Sequence, residues 1–175
     1  MTYSLFLPTL IVLIYLPIFL FATLSNQFKQ KFMKVHSKDF KQYAIESLAG
    51  IIYFVIIIVS AYTTISTNNT NIILGLLIYI TSIEMTYIGY LSFIKTHKNK
   101  LTKNFPYNIS RNPTYFFGLT AILGIAILTM SNTLIVLLLI QFALTHKIIL
   151  NEEKYLEKKY KKEYGNYKKK VRRYF

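Results

Sequence analysis

Side chains that could bind charged groups lie on both sides of two apolar runs near the C-terminus. The sequence R-N-P-T-Y at 111–115 precedes the first run, and Glu152-Glu153 follows the second. Arginine binds carboxylates and phosphates through a planar fork of donors, whereas carboxylates bind cations. Lys outnumbers Arg 18 to 3 in this chain. We therefore interpret Arg111 as a residue needed for its geometry, although an Arg at a membrane interface can also simply fix topology.

The residues after Arg111 predict the start of a helix. Pro113 suits a first helical turn and disfavours helical backbone at Asn112. Asn112 is a natural N-cap, and the free amides of the helix carry a partial positive charge there. We expect the helix to begin at about Thr114 and to form an anion site together with Arg111.

His146 extends the group of polar residues. It precedes Glu153 by seven residues, or two helical turns, so the two share one face, with Glu152 about 100 degrees around the helix. This arrangement predicts the floor of a polar pocket. A typical helical metal motif has two His residues one turn apart together with a carboxylate. These residues do not match that motif, so we predict no metal site. The absence of Cys excludes thiolate sites and disulfides.

Charge segregation predicts the elements that position these residues. No Asp, Glu, Lys, Arg or His occurs at 1–28 or 112–145, and Glu84 is the only such residue at 47–94. About 20 apolar residues cross a bilayer core. We predict a single all-α membrane domain over 1–175 with five spans at about Leu5 to Leu24, Ala44 to Thr64, Ile72 to Ile94, Tyr115 to Met130 and Thr133 to Leu150. The last two spans form a tight hairpin at Ser131-Asn132.

The distribution of cations predicts the orientation. The loops at 29–41 and 95–111 and the tail hold the Lys and Arg residues, and with five spans all three fall on one side. By the positive-inside rule this side is the cytoplasm, so the N-terminus lies outside, in what we expect to be a prokaryotic plasma membrane. We therefore attribute the net charge of +14 to contacts with anionic lipids of the inner leaflet and not to binding of nucleic acid. The first span lacks a basic n-region and is interpreted as a retained anchor.

Polar residues inside the spans have structural interpretations too. Glu84 lies about ten residues from either end of its span, so we expect an interhelical partner or a water-filled cavity. Gln141 is typical of helix packing, and Lys147 lies near enough to the interface to reach the head groups.

The tail predicts an amphipathic helical cap. Leu156, Tyr160, Tyr164, Tyr167, Val171 and Tyr174 recur every three or four residues, opposite a Lys-rich face. Gly165-Asn166 is expected to divide this stripe into two short helices lying on anionic lipid.

These residues resemble a known family. R-N-P-x-Y followed by Glu152-Glu153 is similar to the R-H-P-x-Y…E-E signature of membrane methyltransferases, which include isoprenylcysteine carboxyl and phospholipid methyltransferases. Pro106-Tyr107 and the tail extend the resemblance over about the last 75 residues. It implies an S-adenosylmethionine pocket at 97–175 with Arg111 and Glu153 as catalytic residues. The implied cofactor-binding residues are Tyr107, Asn112, Pro113, Tyr115, His146 and Glu152. Asn112 replaces the signature His, which excludes a mechanism that uses that His as a base.

The predicted function is methyl transfer from S-adenosylmethionine to a lipophilic acceptor at the inner leaflet. A carboxylate, thiol, amine or hydroxyl acceptor would suit this plan, and residues 1–96 would select it. A neutral acceptor must lose a proton, for which Glu153 or His146 is the candidate base. Two alternatives remain at this point. One is a nicotinamide-dependent reductase, because sterol reductases resemble the same R-N-P-x-Y stretch, and the other is a non-enzymatic membrane scaffold.

Overall fold

The computed structural model describes residues 9–13, 40–97 and 99–174. This part of the chain is helical apart from its connections and one isolated bridge between two residues. Residues 9–13 form a short helical segment. The four longer helices are α1 (Phe40–Ala61), α2 (Asn69–Lys95), α3 (Pro113–Thr129) and α4 (Asn132–Lys170).

The helices confirm the predicted class, an all-α integral membrane protein. α1, α2 and α4 are each long and apolar enough to cross a bilayer, and α3 is a shorter apolar helix of 17 residues. These four match the second to fifth predicted spans to within four residues at most ends. The exception is the last span, because α4 continues through the tail to Lys170 instead of ending at Leu150. The first predicted span lies outside the described residues except at 9–13.

The connections follow the turn-prone residues of the sequence. The Asn68 side chain accepts a hydrogen bond from the amide of Thr70 at 2.9 Å and caps α2. Met130 adopts a left-handed conformation, with φ of 52°, at the end of α3. The Ser131 hydroxyl then caps α4 by accepting from the Leu134 amide at 3.3 Å. The predicted tight hairpin is therefore present, and α3 and α4 reverse direction within two residues.

Glycine brings α2 and α3 into backbone contact. A Cβ atom on Gly75 would lie 2.7 Å from the Leu128 nitrogen and 2.8 Å from the Gly124 oxygen. A Cβ on Gly124 would lie 2.8 Å from both the Gly75 oxygen and the Tyr79 nitrogen. Small residues permit this approach between membrane helices, where dispersion contacts replace the hydrophobic effect. The C-terminal half of α3 is thereby fixed relative to α2.

The short segment 9–13 completes the apolar core of the bundle. Ile11 is fully buried and packs in one cluster with Ile56 of α1 and Tyr79 of α2. The Tyr79 hydroxyl donates a hydrogen bond to the Leu10 oxygen at 2.7 Å. α1 also packs along α4, where Ala49 meets Leu144 and Ile148. Together these contacts place α1 beside the part of α4 that carries His146.

The expected break at Gly165-Asn166 is wrong. α4 changes direction at Lys161, which has φ of 43° and ψ of −118°, and Gly165 lies within the helical residues that follow. A Cβ on Gly165 would meet no atom within 4 Å, so no close contact requires glycine there. The break at Lys161 turns the following segment back over the bundle, which buries Tyr164, Tyr167 and Val171 against Leu101, Leu156 and Tyr160. The tyrosine stripe thus packs on the protein itself and caps the bundle.

Candidate active site

The R-N-P turn is held by the end of the tail. Ser110 and Arg172 form an isolated parallel bridge, in which the Arg111 amide donates to the Arg172 oxygen at 2.9 Å. The Ser110 hydroxyl donates to the Arg173 oxygen at 3.1 Å and accepts from the Asn112 amide at 3.2 Å. Two segments about 60 residues apart in the chain are therefore joined next to the first turn of α3.

Glu153 lies at the centre of this junction. It is 3% exposed, and four nitrogen atoms of three side chains lie within 3.2 Å of its oxygens. Nη2 of Arg111 lies at 3.1 Å, and Arg173 binds both oxygens, with Nε at 3.1 Å and Nη2 at 2.9 Å. Nδ2 of Asn112 donates at 3.2 Å. A carboxylate buried this deeply is stable only with such pairing, which places one acid between two guanidinium groups.

The charges around Glu153 determine its protonation. Burial by itself disfavours the carboxylate and raises its pKa. The hydrogen bond from Arg173, the charges of Arg111 and Arg173, and the amide of Asn112 together outweigh burial, so the pKa of Glu153 is lowered. The hydrogen bond to Glu153 in turn raises the pKa of Arg173. Glu153 is therefore an ionised structural acceptor at neutral pH.

Asn112 occupies the predicted N-cap position but does not cap the helix. α3 begins at Pro113, one residue before the expected start, and the Asn112 side chain makes no capping hydrogen bond. Its amide instead donates to Glu153 and, at 3.4 Å, to the Arg173 oxygen. The anion next to this helix start and Arg111 is thus the protein's own carboxylate.

The predicted site residues Tyr115, Glu152 and His146 form two separate contacts. The Tyr115 hydroxyl donates a hydrogen bond to Glu152, and the Tyr115 ring packs against the cluster that joins α1 to α4. Nδ1 of His146 lies 2.7 Å from the Tyr174 hydroxyl, and both rings contact Phe142. His146 and Glu153 therefore face the tail together, since their partners Tyr174 and Arg173 are consecutive residues.

A cleft opens beside the ion-pair junction. Its walls come from the end of α2, the loop after it and the tail: Phe93, Lys100, Leu101, Thr102, Tyr107, Arg111, Leu156, Lys159, Tyr160, Tyr164 and Tyr167. Two of its lining residues have buried donors without a hydrogen-bond partner in the described structure, Nε of Arg111 and the hydroxyl of Tyr164. Of the predicted site residues, the structure places Arg111 and Tyr107 in this cleft.

The comparison with protein families decides the assignment. The phospholipid methyltransferase family model matches residues 45–163, which is more than half of the chain. The chain belongs to the phospholipid methyltransferase family. The match covers α2, the R-N-P turn, α3, the acidic pair and the lining of the cleft as far as Tyr160, and it implies membrane methyltransferase activity. No curated protein and no solved structure gives a significant match.

Sequence reasoning included Arg173 in the family resemblance of the tail but did not predict its contact with Glu153. Arg173 supplies two of the four nitrogen atoms around Glu153, yet it lies beyond the region that the family model matches. The signal was the one that identified Arg111, because Arg173 is one of only three Arg residues in a Lys-rich chain. Tyr164 was recognised in the tail stripe, but its unpaired hydroxyl has no signature in the sequence.

Proposed function

We propose that the protein transfers a methyl group from S-adenosylmethionine to a lipophilic acceptor at the inner leaflet of the membrane. The observation that carries this proposal is the position of Arg111. Its Nη2 atom pairs with buried Glu153, its side chain lines the cleft, and its Nε atom is buried without a partner. A buried donor left unpaired is costly, which favours a ligand that completes its hydrogen bonding.

The cleft suits the methyl donor chemically. Nε of Arg111 and the Tyr164 hydroxyl are donors that would bind the carboxylate of its amino-acid end. The aromatic and aliphatic side chains of Phe93, Leu101 and Tyr107 offer apolar walls for a purine. When bound, S-adenosylmethionine supplies a methyl group activated by an adjacent sulfonium charge.

Glu153 is better suited to positioning than to removing a proton. Its two oxygens accept from two guanidinium groups and an amide, and its pKa is lowered. A general base at neutral pH needs a higher proton affinity and an oxygen that reaches the acceptor. We assign Glu153 the role of holding Arg111 in place at the cleft.

We assign the acceptor side to Tyr115 and Glu152, which are hydrogen-bonded to each other next to the contact between α1 and α4. An anionic acceptor needs no base, because a water-poor site favours the merging of its charge with the sulfonium. An amine or hydroxyl must lose a proton, and Glu152 or His146 then replaces Glu153 as the candidate base. The positive-inside rule places the cleft towards the cytoplasm, since the Lys-rich loop lines it.

Calorimetry of the purified protein with S-adenosylhomocysteine tests the donor site. We expect saturable binding of this product and none of a nicotinamide cofactor. Arg111→Ala should abolish binding, whereas Lys103→Ala should leave it unchanged, because Lys103 is 44% exposed and pairs only with the exposed Glu163. Binding of the nicotinamide cofactor alone would contradict the proposal.

Tyr164→Phe is the sharper variant, because it removes one oxygen without disturbing the ion pairs. The lost hydroxyl has no partner in the described structure, so stability should not fall. Affinity for S-adenosylhomocysteine should fall by about tenfold or more, as for a hydrogen bond to a charged group. Tyr155→Phe, the same change on α4 outside the cleft, serves as the matched control. Equal affinities of the two variants would place the donor elsewhere.

The methyl acceptor can be found by comparing lipids from cells that express the wild-type chain and the Arg111→Ala variant. We expect one class of lipid heavier by a methylene unit only in the wild-type extract. Identical mass spectra in the two extracts would argue against a lipid acceptor.

A further inference from the structure

α2 carries an acidic residue, Glu84, in the middle of its membrane span. Glu84 lies fifteen residues after Asn69 and eleven before Lys95, which is more than about 15 Å from either end of the helix. Its side chain is exposed, and none of the described residues forms a hydrogen bond or ion pair with it. The predicted partner within the bundle is thus not found among these residues. A carboxylate at this depth costs at least about 2.5 kcal/mol, so its position requires an explanation.

The face that carries Glu84 points away from the other described helices. The residues of α2 that pack on α3 include Gly75, Ser82 and Thr86. At 100 degrees per residue, they lie about 160 to 180 degrees around the axis from Glu84. The segment 9–13 contacts α2 on a different side, through Tyr79 and Tyr87.

The exposed face of α2 is apolar around Glu84. Large apolar side chains recur there every three or four residues on both sides of Glu84: Ile73, Leu77, Ile80, Ile88 and Leu91, which are 65%, 59%, 52%, 37% and 42% exposed. Thr81, also exposed, lies one turn before Glu84. One polar residue in an otherwise apolar seam is known to fix the register and partner number of paired helices.

The chemistry of the carboxyl group identifies the partner. No Lys or Arg occurs at 1–28, 47–94 or 112–145, so the central parts of the membrane spans offer no cation to pair with it. A carboxyl group in its neutral form has one hydrogen-bond donor and one free acceptor. Two such groups satisfy each other across a two-fold axis, which makes the face complementary to itself. We infer that α2 is the interface of a symmetric dimer of this chain, in which the Glu84 carboxyl groups of the two copies are hydrogen-bonded to each other.

The lack of Cys in the chain allows a direct test by disulfide cross-linking in native membranes. Leu77→Cys places a single thiol on the exposed face of α2, where the side chain is 59% exposed. Leu139→Cys is the matched control, because Leu139 is an equally apolar residue on α4 and is 63% exposed. We expect mild oxidation to convert the Leu77→Cys protein to a covalent dimer and to leave the Leu139→Cys protein monomeric. Equal yields from the two variants would overturn the proposal.

Substitution of Glu84 tests whether the pair of carboxyl groups stabilises the dimer or whether apolar contact alone does so. In the Leu77→Cys background, Glu84→Leu should lower the cross-linked fraction about fivefold, as expected for the loss of an interhelical hydrogen bond. Glu84→Gln should retain most of it, because an amide also both donates and accepts. Full cross-linking of the Glu84→Leu protein would show that the carboxyl group has no part in the interface.

Counting bleaching steps provides a second measurement that needs no substitution in α2. Fluorescently labelled wild-type protein, reconstituted at low density in vesicles, should bleach mainly in two steps. Single-step bleaching would show a monomer, and it would leave a phospholipid head group or residues 14–39 of the same chain as the partner of Glu84.

Discussion

The glycine contact between α2 and α3 and the ion-pair junction at Glu153 hold the two ends of α3 by opposite means. At Gly75 and Gly124 the helices touch through their backbones, with no side chain between them. At Glu153 the contact consists almost entirely of side chains, with three of them surrounding one carboxylate. The glycine contact depends on the lack of side chains at Gly75 and Gly124, and the junction depends on the charges of Glu153 and its two Arg partners.

This difference follows from the surroundings of each region. Within the bilayer an unpaired charge is costly and dispersion contacts are the available attraction, so close approach stabilises the pair of helices. Beyond the apolar part of the spans ionised groups are tolerated, and an Arg–Glu pair fixes orientation as well as distance. The cleft that we propose as the donor site is therefore adjacent to the junction at Glu153, and a change of charge should affect this cleft more than a change of volume within the membrane.

Removal of the Glu153 carboxylate should have the largest effect. Glu153→Ala leaves Arg111 and Arg173 without their shared partner, and a buried charge stripped of its partner typically costs about 3 to 5 kcal/mol. We expect a large fall in the midpoint of thermal unfolding in detergent, together with loss of product binding. Glu157→Ala, which breaks only an exposed pair with Lys168, provides the comparison. Similar midpoints for the two variants would mean that the junction contributes no more than a surface pair.

A methyl group at the glycine contact should have the next largest effect. Gly124→Ala places a Cβ 2.8 Å from two backbone atoms of α2, which neither helix can avoid by rotating a side chain. Overpacking of this kind costs about 1 to 3 kcal/mol. Gly50→Ala is the control, since its Cβ would meet nothing within 4 Å. Thermal unfolding of the two variants measures the difference, and an unchanged midpoint for Gly124→Ala would contradict the backbone contact.

Acidification should weaken the junction and spare the glycine contact. The pKa of Glu153 is lower in the folded state than in the unfolded state, so the unfolded chain binds the proton more readily. The stability that this residue contributes is complete above about pH 4.5 and is lost as the pH falls through the lowered folded pKa. Unfolding midpoints measured from pH 7 to pH 3 should decline less steeply for Glu153→Gln than for the wild type. Parallel curves would contradict the prediction.

The exposed ion pair of the same region should have the smallest effect. Lys103 and Glu163 lie 2.6 Å apart, but their side chains are 44% and 51% exposed. Pairs of this kind contribute about 0 to 1 kcal/mol and are screened by salt. Lys103→Ala should therefore shift the unfolding midpoint by little, and by less still in 1 M salt. A shift as large as that of Gly124→Ala would mean that charge stabilises this region even at its surface.

The sequence predicts the spans and the meeting of Arg111 with Glu153, because both depend on strong local signals. Runs without charge identify membrane helices, and the proximity of Arg111 to the acidic pair follows from the short hairpin at Met130. The bounds of α2 and α3 agree with expectation to within three residues, since polar caps and a proline mark their ends.

The errors come from contacts between segments distant in the chain. Asn112 has a capping side chain, but the proximity of Glu153 gives its amide a charged acceptor instead. The tail breaks at Lys161 because the burial of Tyr164 and Tyr167 decides the point of reversal, and the glycine signal four residues later is overridden. Glu84 was expected to face an interhelical partner or a water-filled cavity, and only the arrangement of the described helices reveals the direction in which it points.

The backbone contact at Gly75 and Gly124 also has a consequence for how a lipid reaches the site. Gly75 and Gly124 bring the two backbones together with no side chain that could change rotamer, so an opening between α2 and α3 would lose this contact. Under the proposed function, a lipid acceptor would enter through a seam filled by side chains that can change rotamer, such as the seam between α1 and α4, where Tyr115 packs.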